Sequence, residues 1–146
     1  MPLDLTSVPR QLRCILLFAL TWLATTAWAV EVIAHPSVAN ARLSLVQAKG
    51  LFSMRQTRWP DGQRAWVFVL PDSHPTHSAF SKEVLNLYPY QLRQTWDRQV
   101  YSGTGQAPIE VATEEEMISR VASTPGAIGY VRKVNPHDPV RVISVE

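Results

Sequence analysis

Apolar positions along the chain alternate between strand-like runs and helix-like stripes. Glu31 to His35, reading Glu-Val-Ile-Ala-His, predicts a short strand halted by Pro36 and Ser37. Leu45, Ala48 and Phe52 recur at helical spacing behind Ser44, a good N-cap, which predicts a helix from Leu45 to about Leu51. Arg58-Trp59-Pro60-Asp61-Gly62 combines proline with Asp-Gly and reads as a turn. Ala65 to Leu70, Ala-Trp-Val-Phe-Val-Leu, is nearly unbroken apolar sequence, as expected of a strand buried on both faces. Pro71 to Thr76 is a loop feeding a helix from about His77 to Leu87, striped by Ala79, Phe80, Val84 and Leu87.

Pro89 suits the first turn of a further helix, to about Val100, with Leu92, Trp96 and Val100 in register. Gly103 and Gly105 break the chain. Thr113 and Glu116 form a capping box, and Glu114 and Glu115 suit a positive helix start. That helix is expected to run to about Ser123, burying Met117, Ile118 and Val121, until Pro125-Gly126 stops it. Ala127 to Val131 and Val140 to Val145 read as two more strands. Strands alternating with helices predict an α/β domain, a sheet covered by helices. Ligands in such folds sit where strand ends feed helix starts, which singles out His35-Pro36-Ser37 and the loop Asp72 to Thr76.

The first residues have a different character. Arg10 and Arg13 precede a mostly apolar, uncharged run from Cys14 to Ala29 that closes on Ala27-Trp28-Ala29. This is the layout of a cleavable secretory signal over residues 1–29, with Val30 as the new N-terminus. The alternative, an uncleaved anchor, is disfavoured because the 16-residue run falls short of the roughly 20 apolar residues that span a bilayer. Gln11, Leu12 and Arg13 before Cys14 do not resemble a lipobox. Cleavage leaves one domain, residues 30–146, with no cysteine and therefore no disulfide or thiolate chemistry, which suits a periplasmic location. That domain holds 12 basic and 11 acidic residues, a balance that gives no reason to expect nucleic acid or an anionic membrane as partner, and no stable membrane span remains after cleavage.

The chemistry-bearing residues give modest signals. His74 and His77 lie three apart and, with Asp72 and His35, could form a metal site or a pH-sensitive anion site. They could equally belong to a solvated loop capped by Asp72 or Ser73. Ser102-Gly103-Thr104-Gly105 is not followed by the Lys-Ser or Lys-Thr of a phosphate-binding P-loop and reads as a turn. No Gly-x-Ser-x-Gly occurs, Glu114 to Glu116 read as a helix start, and Trp59, Trp66 and Trp96 read as packing residues. No catalytic residue, metal or cofactor is therefore assigned, and the chain is not expected to be an enzyme.

Two segments resemble a known family. Leu51-Phe52-Ser53-Met54-Arg55-Gln56-Thr57-Arg58-Trp59-Pro60-Asp61-Gly62 and Ser123-Thr124-Pro125-Gly126-Ala127-Ile128-Gly129-Tyr130-Val131 are similar to segments of the periplasmic phosphate-binding proteins of ABC transporters. The resemblance covers Val32 to about Val131 and implies a single small lobe of a type 2 periplasmic-binding-protein-like fold, a mixed sheet covered by helices. Family members close two lobes on an anion held by a Gly-Ser-Gly-Thr loop at a helix N-terminus. The matching positions here are Ser73-His74-Pro75-Thr76: only Thr76 keeps its type, Pro75 removes an N–H donor, and the arginine before the loop is replaced by Leu70. The expectation is therefore a non-catalytic solute-binding-like domain with Ser37, Asp72, Ser73, His74 and Thr76 as ligand-binding residues. Its ligand would be a small anion such as phosphate, bound weakly, and its partner a transporter or another envelope protein. One alternative is an interaction or scaffold module that kept the fold and lost the ligand. Another is a periplasmic enzyme using His74, His77 or Asp72. Ser37 and Thr76 facing each other across one pocket would mark the binding site.

Overall fold

A computed structural model describes residues 29–146; the expected signal, apart from Ala29, lies outside the described residues. Six strands form one mixed sheet: β1 (Glu31–Ala34), β2 (Arg42–Leu43), β3 (Trp66–Val69), β4 (Ile109–Glu110), β5 (Ala127–Val131) and β6 (Arg141–Val145), in the order β2-β6-β1-β5-β3-β4. β3 runs parallel to both β4 and β5, whereas β1 runs antiparallel to β5 and to β6. The buried strands follow the apolar runs. The edge strands β2 and β4, two residues each, have no run to announce them.

Among the described residues four helices cover the sheet: α1 (Leu45–Phe52), α2 (Pro75–Ala79), α3 (Pro89–Ser102) and α4 (Glu114–Ser123). Ser44 caps α1 reciprocally with Gln47, each residue's side chain accepting the other's backbone N–H. The expected α4 box differs in one bond. Thr113 Oγ1 accepts the Glu116 N–H, but the Glu116 carboxylate reaches back to the N–H of Ala112 instead of Thr113. The helix after β3 starts at Pro75, two residues early, and ends in a wide π turn, Phe80–Val84, short of Leu87. Asn86 adopts a left-handed backbone, φ 54°, which stops the helix before Leu87. α3 is longer than its apolar stripe. Val100 is exposed, because the packing seam is completed by Leu92 and Trp96 alone.

The two faces of the sheet carry different layers. Gly129 and Tyr130 are neighbours in β5 and so point to opposite faces. A Cβ on Gly129 would lie 2.4 Å from Met117 Sδ, so glycine is needed where α4 presses on that face. On the other face Tyr130 stacks on Phe80 at 3.8 Å between ring centroids, and Phe52 meets Phe80 edge-on at 4.6 Å. Trp96 joins α3 to α1 by donating from Nε1 to the Phe52 carbonyl at 2.9 Å. Among the described residues no helix is long and apolar enough to cross a membrane.

Candidate functional site

The loop after β3 is built around Asp72. The N–H of His74 donates to the Pro71 carbonyl at 2.8 Å, which turns the chain and presents Asp72 toward α3. There Arg93 grips the carboxylate with two bonds, Nε to Oδ2 at 2.8 Å and Nη2 to Oδ1 at 3.0 Å. Glu110, at the end of β4, approaches the same guanidinium at 3.7 Å. The guanidinium holds the Asp72 carboxyl below its ordinary range, and the carboxylate in turn raises the Arg93 pKa.

His74, not Asp72 or Ser73, is the N-cap of α2. Its Nδ1 accepts the Thr76 N–H at 3.1 Å. The same first turn leaves little for a ligand. Pro75 has no N–H, and the N–H groups of His77 and Ser78 donate to the His74 carbonyl. Two carboxylates against one guanidinium give the Asp72–Arg93–Glu110 cluster a net negative charge. An incoming anion would therefore meet repulsion and few free backbone donors.

His77 lies beneath this loop and is fully buried. Tyr130 accepts the Leu70 N–H at 2.9 Å and shares a hydrogen bond of 2.5 Å with His77 Nδ1. His77 Nε2 has no hydrogen-bond partner and faces Asp72 Oδ1 at 3.5 Å, and that carboxylate favours an imidazole proton on Nε2. Burial pushes the His77 pKa down against the upward pull of Asp72, and burial also drives the Tyr130 pKa up. The imidazole is neutral and structural in this setting. His74 and His77 do not converge: one caps the helix and the other packs against Tyr130 and Trp96. Among the described residues no group of three or more His, Cys, Asp or Glu is placed to hold a metal ion.

Ser37 is at the other end of the sheet. β1 runs antiparallel, so its last residue, Ala34, pairs with Ile128 near the start of β5, whereas Asp72 follows the far end of β3. Ser37 and Thr76 therefore do not share a crevice. Ser37 Oγ instead accepts hydrogen bonds from Gln63 Nε2 and from the Gly126 N–H, both at 3.1 Å. It ties the turn before β3 to the turn before β5. Thr76 is buried, and Ser73 is exposed on the loop. Asp72, Ser73, His74 and Thr76 stay together at one end of the sheet. The structure adds Arg93, His77, Tyr130 and Glu110 to them. No periodicity signals these contacts, because they join residues up to 60 positions apart.

No family model matches the sequence, and no curated protein does either. Solved structures do match. One is a candidate phosphate ABC transporter substrate-binding protein with bound phosphate from Clostridium perfringens, 21% identical at TM-score 0.62, covering 80% of this chain and 44% of that one. An ABC-type phosphate transport receptor from Vibrio cholerae matches at 14% identity and TM-score 0.59, over 81% of this chain and 47% of that one. PstS from Borrelia burgdorferi matches at 16% identity and TM-score 0.61 over the same two shares. This chain has the fold of one lobe of a phosphate-type substrate-binding protein. It spans under half the length of these solved proteins.

Proposed function

We propose that this lobe is an exported, non-catalytic binding-protein-like module that works through a partner in the cell envelope. The observation that carries this reading is the Asp72–Arg93 pair beside a helix start whose donors are already used. In this reading the loop surface meets another molecule, a transporter component or another envelope protein. Crosslinking in cells from a photoreactive side chain at the exposed position Ser73 is expected to trap an envelope protein. Absence of any adduct would count against the partner. Export itself is read by sequencing the mature N-terminus, which is expected to begin at Val30.

Weak binding of a phosphate-like anion at the loop is the second reading. It is favoured by the fold shared with phosphate-transport proteins and by the partial exposure of Asp72 and Arg93, which leaves Arg93 room to turn toward a ligand. Calorimetry of the mature domain with phosphate, sulfate and carboxylates separates the two. No heat supports the partner module, and saturable heat abolished by Arg93→Ala supports anion binding at the loop.

A further inference from the structure

The cations that the β3 loop lacks are gathered elsewhere. A hollow of about 510 Å³ runs between α1 and α3, and a second of about 470 Å³ adjoins it toward their C-termini; the two share Arg55 and Thr95. Lys49 lines the first and Arg98 the second, together with the hydroxyl residues Ser102 and Thr104. No Asp or Glu lines either hollow. Among the described residues Lys49, Arg55 and Arg98 take part in none of the ion pairs.

Such cations could simply offset the negative ends of the two helices. The magnitudes decide against that as their whole role. Each helix end carries about half a negative charge, so two ends leave about two of the three positive charges uncompensated. Part of the helix-end charge is also already satisfied. The Phe52 and Ser53 carbonyls accept Trp96 Nε1 and Gln99 Nε2, each at 2.9 Å, and the Gln99 carbonyl accepts the N–H groups of Thr104 and Gly105. These bonds also fix the groove. Met54 holds a left-handed backbone, φ 61°, just before Arg55, and Ser102 Oγ lies 2.8 Å from Thr104 Oγ1. Ser102 Oγ also donates to the Gln99 carbonyl at 3.3 Å, so Thr104 supplies the proton between the pair and both hydroxyls help to fix the turn.

We propose that this groove binds a tetrahedral oxyanion of the phosphate type, carried either by inorganic phosphate or by an anionic phospholipid headgroup. Two guanidinium groups and the Lys49 ammonium offer more donors than the two oxygens of a carboxylate accept, and three or four phosphate oxygens match them better. The site is separate from the β3 loop and does not depend on the reading of that loop.

The test is an amide NMR titration of the mature domain with inorganic phosphate, beside co-sedimentation with phosphatidylglycerol and phosphatidylcholine vesicles. Saturable shifts at Ser102, Gly103 and Thr104, weakened about tenfold or more in Arg55→Ala/Arg98→Ala, support the site with free phosphate as its ligand. Co-sedimentation with phosphatidylglycerol alone, lost in the same variant, supports the headgroup. Both arginines are exposed, so the variant is expected to keep the wild-type circular dichroism. Arg42→Ala, at the β2 edge, is the charge control and leaves binding unchanged. Neither ligand binding, or binding equally well to wild type and double variant, overturns the proposal.

Discussion

Arg93 and Asp72 lie 21 residues apart in sequence and are joined by two parallel hydrogen bonds of 2.8 and 3.0 Å. This pair fills the space beside α2 with a carboxylate and its own counter-charge. It locks the strand-to-helix loop to α3, so its first consequence is for stability.

Replacing Arg93 by alanine is expected to cost about 1 kcal/mol in urea unfolding, since both side chains are over a third exposed and water screens the pair. Asp72→Ala should cost a similar amount, and the double variant no more than either single one. The Asp72 pKa is lowered in the fold, so the pair's contribution is present above the ordinary value of 3.8 and is lost as pH falls below it. A double variant that costs the sum of the two singles would show that the side chains do not interact.

Tyr130→Phe removes one oxygen and strands two buried groups, the Leu70 N–H and His77 Nδ1. At about 1–3 kcal/mol for each unsatisfied buried group, a loss near 3 kcal/mol is expected. Chemical denaturation measures it. A loss below about 1 kcal/mol would mean that the two groups find other partners.

His77 gives the chain a pH dependence of known sign. Its pKa lies below 6.5 in the fold, so the unfolded chain takes up the proton first as pH drops. Stability is therefore full above pH 6.5 and declines below it. Arg93 and His74 oppose the charged imidazole while Asp72 favours it. Unfolding free energies at neutral and mildly acidic pH should differ less in His77→Gln than in the wild type. An identical slope in the two proteins would contradict the assignment.

Ser37→Ala breaks the bonds to Gln63 and Gly126 and should cost about 1 kcal/mol, with no effect on any property of the β3 loop. Gly126→Ala should cost more, about 2 kcal/mol or above. Its φ is 79°, and an added Cβ would sit 2.2 Å from the Arg64 carbonyl oxygen. Thermal unfolding of both variants checks the order.

Local chemistry explains which parts of this fold are legible in sequence. Ser44 with Gln47, Pro89 at the start of α3 and the apolar run of β5 act through near neighbours and announce their elements. The direction of β1 is set by its pairing with β5 and β6, and no residue within Glu31 to Ala34 encodes it. That is why Ser37 reads as a companion of Thr76 in sequence but stands at the opposite end of the sheet. The cap passes from Asp72 to His74 because Arg93, on a distant helix, claims the carboxylate. His77 reads in sequence as a helix start with a weak metal or anion possibility, and its bond to Tyr130, 53 residues on, shows it to be a core histidine.

The polar groups of the loop after β3 are largely satisfied within the fold, and we propose that the loop holds no free anion. Amide NMR of the mature domain titrated with inorganic phosphate tests it most directly, read at Ser73, Thr76, His77 and Ser78. No saturable shift is expected at these four residues, whatever happens at Ser102 to Thr104. Saturable shifts at Thr76 and His77 that vanish in Arg93→Ala would contradict it.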